Sequence, residues 1–180
     1  MQYIAFDFET SGLPEGRRNV LVTRDTLKNF DTCRAVSLSA ARFSQRGRLI
    51  DTFDAIILPT DFTISQESIN VHGITNEKAL KEGRPFTEVF TDFVKFIGPR
   101  TKTMVAHNAA FDTNVLRSEI IRHNLNMNLI DDLTFRCTLK LYKQPFLKPI
   151  RLSVLYEEIF GTEFENAHTS LGDCIACGKV

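Results

Sequence analysis

Tryptophan is absent from this chain, no apolar run approaches membrane-spanning length, and net charge is missing too, because 22 Lys and Arg are matched by 22 Asp and Glu. Each absence removes a class of function. Met1 and Gln2 lead directly into an apolar segment with no basic n-region or h-region, so neither secretion nor membrane insertion is indicated, and an intracellular protein, cytosolic or nuclear, is expected. A neutral chain has no overall basic field to draw in nucleic acid, so any such binding has to use a local patch or a metal. The four cysteines, Cys33, Cys137, Cys174 and Cys177, contain one Cys-x-x-Cys and no second pair to complete a zinc cage, which points to reduced thiols. Cys174 and Cys177 read better as small packing residues than as soft metal ligands. Internal repeats, linkers and low-complexity tracts are lacking as well. What is present is 43% hydrophobic content with 15 Phe over 180 residues, enough for one globular domain with a sizeable, phenylalanine-rich core.

The stretch Tyr3-Ile4-Ala5-Phe6-Asp7-Phe8-Glu9-Thr10-Ser11-Gly12-Leu13 places two acids where a core strand belongs. Side chains alternate across a strand, so Ile4, Phe6 and Phe8 share one face while Asp7 and Glu9 share the other, with Cα atoms roughly 7 Å apart. Two like charges so placed repel and shift each other's pKa unless a cation lies between them, and a hard divalent ion meets that need. A solvated acidic edge is the alternative that the motif alone leaves open.

Pro14 to Thr32 carries no stable period and reads as a long loop, either a surface excursion or a basic guide for an anionic substrate. Val36, Leu38 and Ala40 alternate with Ser37 and Ser39, and after a break at Gln45–Arg48 the pattern resumes from Leu49 to Leu58. That predicts a hairpin which, with the first strand, makes an antiparallel three-stranded meander. Ser65 to Thr75 reads as a short helix and a bend in which His72 shapes the loop. Val89, Phe90, Phe93, Val94 and Ile97 predict a core-facing helix over 87–97, stopped by Gly98-Pro99.

Thr103–Ala106 is a short buried strand candidate, followed by a helix from about Ala110 to His123, with His123 as its solvated end. On that helix Asp112, Leu116 and Ile120 form one interior-facing row, so Asp112 requires compensation from the helix N-terminus or a metal; a surface Asp favouring the helix dipole is the alternative. Asp131–Arg136 reads as another strand, Cys137–Tyr142 as helical, and Leu152–Phe160 as an amphipathic helix ended by Gly161. A last helix carries Asp173. His168 and Asp173 are five positions apart and cannot share a helical face, but with His168 in the entering loop and Thr169 or Ser170 as cap the two can converge.

Three segments in order, Phe6-Asp7-Phe8-Glu9-Thr10-Ser11-Gly12-Leu13, Ala106-His107-Asn108-Ala109-Ala110-Phe111-Asp112 and Ala167-His168-Thr169-Ser170-Leu171-Gly172-Asp173, resemble the signature of the DEDDh 3'-to-5' exonucleases, the DnaQ-like group that includes the proofreading subunit of a bacterial replicative polymerase. Val71-His72-Gly73-Ile74-Thr75 is similar to that family's intervening segment. The resemblance implies a single α/β domain, residues 1–180, of the ribonuclease H-like type: a central mixed sheet of about five strands flanked by helices on both sides. It implies two ions, Mg²⁺ or Mn²⁺, with Asp7, Glu9 and Asp173 holding one, Asp7 also binding the second, and Asp112 supporting the second. His168 is then the general base. Backbone around Thr10 to Gly12 is expected to hold a terminal 3'-hydroxyl and Leu13 to press on the last bases. His107 and Asn108 are candidates to reach the terminal nucleotide, with a turn-forming, capping role open for Asn108. The implied activity is 3'-to-5' exonucleolytic release of nucleoside 5'-monophosphates from single-stranded ends, with DNA leading. The alternatives are an RNA-trimming enzyme and a non-catalytic nucleic-acid or polymerase-binding module. Single-stranded 3' ends are the expected partners, a DNA polymerase is a candidate protein partner, and no membrane is involved.

Overall fold

The alternation of Ile4, Phe6 and Phe8 with smaller or polar residues produces a nine-residue strand, β1 (Gln2–Thr10), at the centre of a five-stranded sheet. The computed structural model describes residues 2–16, 20–142, 150–164 and 169–180. β2 (Ala35–Ser44) runs antiparallel to β1, and β3 (Leu49–Ile56) runs antiparallel to β2 after a turn in which Gly47 takes φ 73° and donates its N–H to the Ser44 carbonyl. This is the predicted meander. On the other side of β1, β4 (Thr103–Ala106) and β5 (Thr134–Cys137) pair in parallel, giving the order β3-β2-β1-β4-β5. The sheet is therefore mixed, as expected for a ribonuclease H-like fold, and β1, β4 and β5 all point their carboxyl ends at one edge.

Helices cover both faces. Ile4, Phe6, Leu38, Ala40 and Met104 form the main core with α3 (Phe86–Ile97) and α4 (Ala109–Arg122), whose Val89, Phe93, Leu116 and Ile120 are fully buried. The opposite face, Ala5, Ala41 and Phe43, is covered by α8 (Ser170–Lys179) through Cys174 and Cys177, which are indeed packing residues. A Cβ at Gly178 would overlap the Phe43 ring, so a glycine is needed where the helix lies closest to the sheet. α1 (Gln66–His72) starts at Ser65, whose side chain accepts from Ser68 N–H, and ends at Gly73 with φ 73°. His72 Nδ1 accepts from Ile74 N–H and so shapes the bend. α6 (Thr138–Leu141) and α7 (Leu152–Phe160) follow β5.

Four expectations change. α2 (Asn76–Glu82), capped by Thr75, was not predicted. The fifth strand begins at Thr134 and not at Asp131, because Asn128–Asp131 forms a helical turn, α5, that buries Ile130. His123 is not a solvated end: its ring stacks on Phe86 and its Nε2 lies 3.5 Å from Glu119. The segment from Pro14 to Thr32 is not plain loop, since Arg24–Phe30 forms a 3-10 helix and Val22 and Phe30 are buried.

Candidate active site

The site forms where β1 loses a neighbour. β4 pairs with β1 only from Tyr3 to Ala5, so farther along the strand an N–H on that side needs another acceptor. The first turn of α4 supplies it: Phe8 N–H donates to Asp112 Oδ1 at 3.1 Å. Asp112, with Leu116 and Ile120 in the same buried row, is thus drawn against the acidic strand. A register shift between Glu9 and Thr10 bends β1 just past the acids, a common feature beside functional sites.

Across the sheet, Asp7 faces Ser39 and Glu9 faces Ser37. These small side chains let the first turn of α8 settle onto the acidic face. Ser39 Oγ donates to Asp54 Oδ1 at 2.5 Å, so the neighbouring Ser170 hydroxyl donates to Ser39, and Cys174 Sγ donates to the Ser39 carbonyl at 3.2 Å. Thr169 caps the helix by accepting from Gly172 N–H at 3.1 Å. Asp173 then projects from the first turn, and one carboxylate oxygen from each of Asp7, Glu9 and Asp173 lies within 4.8 Å of the others.

The electrostatics are those of like charges gathered at one place. Burial first, and then the charges of Asp112, Glu9 and Asp173, hold the Asp7 carboxyl well above its ordinary range. Glu9 is pushed up to about 8 by burial and by Asp173 and Asp112. Asp112 rises to about 7 through burial, opposed by the hydrogen bond from Phe8 N–H. None of the ion pairs among the described residues brings a Lys or Arg to Asp7, Glu9 or Asp112. An all-oxygen donor set that repels itself and converges on one point fits a hard divalent cation.

His168 lies outside the described residues. Thr10 Oγ1 donates to the Gly12 carbonyl at 2.9 Å, closing a turn in which Gly12 approaches the Thr32 carbonyl so closely that a Cβ would sit 2.7 Å from its oxygen. Leu13, just beyond, is 59% exposed. His107 Nε2 donates to the Ile150 carbonyl at 2.9 Å and Nδ1 lies 2.7 Å from the Thr138 hydroxyl. Burial holds its pKa down, against the Ile150 hydrogen bond, and both ring nitrogens are engaged by the protein. Asn108 occupies the N-cap position of α4 in the left-handed region at φ 69°, where its side chain makes no capping hydrogen bond; it forms the turn but does not cap with its amide.

Two sets of supporting residues escaped the sequence reading. Ser37 and Ser39 were legible only as the polar half of an alternating strand, although their register opposite Asp-x-Glu follows from the meander. Glu119 is 2% exposed and receives Arg34 Nε at 2.9 Å and Ala35 N–H at 3.1 Å. The Arg34 carbonyl in turn accepts from Ser11 N–H and its own N–H donates to Ser11 Oγ, so this pair ties α4 to the turn after the acids.

Comparison with known proteins gives a consistent picture. An exonuclease family model, RNase_T, matches residues 4–180. DNA polymerase III PolC-type from Pediococcus pentosaceus is 29% identical over 179 residues, 99% of this chain and 11% of that protein. The PolC-type polymerase of Streptococcus mutans is 28% identical over 182 residues, again 99% of this chain and 11% of that protein. The chain thus spans about a tenth of the length of these relatives. Among solved structures, an exonuclease I matches with TM-score 0.76 at 19% identity, over 98% of this chain and 39% of that one. E. coli exonuclease I in complex with a dA16 oligonucleotide matches with TM-score 0.74 at 18% identity, over 98% and 39%. A zinc-bound form of the E. coli enzyme with single-stranded DNA also matches, with TM-score 0.74 at 19% identity, over 98% and 38%.

Proposed function

Because the chain belongs to the RNase_T exonuclease family, the DEDDh exonucleases, we propose that it acts as one exonuclease domain, residues 1–180, removing nucleotides from the 3' end of single-stranded DNA as nucleoside 5'-monophosphates. The observation that carries this reading is the convergence of one carboxylate oxygen from each of Asp7, Glu9 and Asp173, with Asp112 buried beside them, into a cluster of acids. DNA is favoured over RNA by the relatives, which are DNA polymerases, and by the fold neighbours, one of which is held in complex with a dA16 oligonucleotide. An intracellular setting and a DNA polymerase as protein partner accord with the same relatives.

Asp7, Glu9 and Asp173 would hold one Mg²⁺ or Mn²⁺, with Asp7 reaching a second that Asp112 supports. Such ions, when bound, supply Lewis-acid stabilisation of the attacking and leaving oxygens of an in-line phosphoryl displacement. The chain's own residues do the rest. His168 takes the proton from the attacking water, a role for which an imidazole titrating near neutrality is suited. Water oxygen bonds to phosphorus as the bond to the 3'-oxygen breaks, and that oxygen leaves with a proton from solvent. The Thr10–Gly12 turn holds the terminal 3'-hydroxyl, and exposed Leu13 packs on the last bases. His107, bonded through both ring nitrogens to Thr138 and Ile150, steadies the end of β4 that leads into α4.

Oligonucleotides of DNA and RNA labelled at either the 3' or the 5' end, incubated with Mg²⁺ or Mn²⁺, test polarity, sugar preference and product together. Mononucleotides released from the 3' end of DNA are expected. Faster RNA cleavage would reassign the substrate, and no cleavage with either metal would overturn the enzymatic reading in favour of a binding module.

A further inference from the structure

Strand β3, at the edge of the sheet, carries a further acid in line with the site. Asp54 pairs with Ser39 across β2 and β3, and Ser39 pairs with Asp7 across β2 and β1, so the three form one row on the face that α8 covers. Hydroxyl groups join this row to the helix. Ser39, 0% exposed, donates to Asp54 Oδ1 at 2.5 Å; its oxygen stands 2.5 Å from the Ser170 hydroxyl, which stands 3.4 Å from that of Ser37. An ionised carboxylate only accepts, so Ser39 spends its proton on Asp54, Ser170 then donates to Ser39, and Ser37 to Ser170. Three buried hydroxyls thus share one direction, and the exposed acid at the sheet edge sets it. Cys174 Sγ, four residues after Ser170 on α8, donates to the Ser39 carbonyl at 3.2 Å, so one serine receives two donors from a single turn of the helix. Asp173 belongs to that turn. Asp54 takes part in none of the ion pairs among the described residues.

We propose that Asp54 is a positioning residue for the acid cluster: through Ser39 it fixes the direction of the hydroxyl chain and so holds the first turn of α8, and with it Asp173, against Asp7 and Glu9. A hydrogen bond to a charged acceptor is about twice as strong as one between neutral groups, and each bond in a chain polarises the next, so an edge carboxylate is felt two hydroxyls away. Without that acceptor Ser39 and Ser170 can each donate to the other, the contact has two orientations, and the helix turn loses its tie to the sheet edge.

This inference rests on the reading of Asp7, Glu9 and Asp173 as ligands of a divalent ion, but its test does not need turnover. Outer partners of metal ligands contribute about 10- to 100-fold to affinity and Asp54 acts one step farther out, so calorimetric titration of the metal-free protein with Mn²⁺ should show about tenfold weaker binding in Asp54→Ala. Amide hydrogen exchange at Gly172 and Asp173, measured in EDTA, should be faster in the same variant. Asp54→Asn removes the charge and keeps an acceptor oxygen, so it should stay close to wild type in both measurements. Ser39→Ala should weaken Mn²⁺ binding as Asp54→Ala does, and the double variant no further, because the two residues act as one chain. Asp51→Ala, the same charge change on β3 where the carboxylate accepts from the adjacent Thr52 N–H, should leave affinity and exchange as they are in wild type. On a labelled oligonucleotide, kcat of Asp54→Ala should fall at limiting Mn²⁺ and return at saturating Mn²⁺ with KM unchanged. Wild-type Mn²⁺ affinity in Asp54→Ala, equal weakening by Asp54→Asn or Asp51→Ala, or additive losses in the double variant would overturn the role of Asp54. Failure of the wild type to bind Mn²⁺ or to cleave the oligonucleotide would overturn the exonuclease reading instead, and the exchange comparison in EDTA would still decide Asp54.

Discussion

Helix α4 buries two carboxylates seven residues apart, Asp112 and Glu119, each 2% exposed, and the chain treats them in opposite ways. Burial alone would push the Glu119 carboxyl up, but hydrogen bonds from His123 and Arg34, the guanidinium charge and the Ala35 N–H together hold it below the usual range. Asp112 receives backbone N–H groups and, among the described residues, no cation, and it stands at about 7 beside Asp7 and Glu9, which are raised as well. Both acids sit on the same stripe of the same helix, so depth of burial does not distinguish them. What distinguishes a structural acid from a functional one here is whether the fold supplies the counter-charge. At Glu119 it does; at Asp7, Glu9 and Asp112 none of the ion pairs among the described residues does.

The sharpest way to break this contrast is to remove one charge from each region. Asp7→Asn keeps size and removes the carboxylate proposed to reach both ions, so turnover on a labelled oligonucleotide should fall at least about a thousandfold. In EDTA the same variant should melt at a higher temperature than wild type, because one member of a mutually repelling set is gone. A variant that keeps near wild-type turnover, or melts lower in EDTA, would place Asp7 outside such a cluster. Glu119→Ala should behave in the reverse sense. It leaves the buried Arg34 guanidinium with the exposed Asp61 as its remaining ion-pair partner among the described residues, and unfolding in urea should show a loss of about 3 kcal/mol. A loss below about 1 kcal/mol would mean that Asp61 and water compensate Arg34 as well as Glu119 does.

The functional half of this contrast was legible in the sequence and the structural half was not. Asp-x-Glu inside an alternating Phe strand breaks a pattern, and a broken pattern is visible; the row Asp112, Leu116, Ile120 places a carboxylate on an apolar stripe in the same visible way. Glu119 follows Asp112 at i+7, nearly the same angle on the helix, so periodicity would have flagged it had the row been read through that position. Its partner Arg34 is 85 residues away, and no local pattern reports a contact of that range. The same holds for the segment after Leu13. Its order comes from Asn114 bonding main-chain atoms at Val20 and Val22, which carry no side-chain signature, so an aperiodic stretch reads as loop until the helix it docks on is in place. His107 is a further case: the motif marks it, but only the fold brings Thr138 and Ile150 to its two nitrogens.

Acidity separates the two regions more gently. In the metal-free protein Asp7, Glu9 and Asp112 hold protons in the folded state that the unfolded chain gives up near about pH 4, so their contribution to stability is full below that value. It is lost as pH rises through about 7 for Asp112 and about 8 for Glu9. Glu119 has the opposite sign: its lowered pKa gives stability that is full above the ordinary glutamate range and is lost only in more acidic solution. Urea midpoints in EDTA should therefore decline between pH 5 and 8.5. Added Mn²⁺ should raise the midpoint more at pH 8.5 than at 5.5, because the ion competes with protons for the same oxygens. A flat profile in EDTA would show that the carboxylates do not burden one another. Loss of the decline in Glu119→Gln would show that the wrong acid had been credited with it.

The smallest effect tests how Asp173 is held. Thr169 caps α8 by accepting from Gly172 N–H at 3.1 Å, and Thr75 caps α2 by accepting from Lys78 N–H at the same 3.1 Å. Replacing either by Ala removes one N-cap acceptor, and each variant should lose about 1 kcal/mol in urea. The two losses are alike in size but differ in place. α8 presents Asp173 from the turn that Thr169 fastens, whereas α2 presents none of the four acids. A frayed first turn lets Asp173 leave Asp7 and Glu9, so calorimetric titration with Mn²⁺ should show severalfold weaker binding in Thr169→Ala and wild-type affinity in Thr75→Ala. The loss should be partial, because Ser170 against Ser39 and Cys174 against the Ser39 carbonyl still pin the helix to the sheet. Equal Mn²⁺ affinity in the two cap variants would mean that these contacts alone set the position of Asp173, and the cap would then belong with Glu119 among groups that serve only the fold.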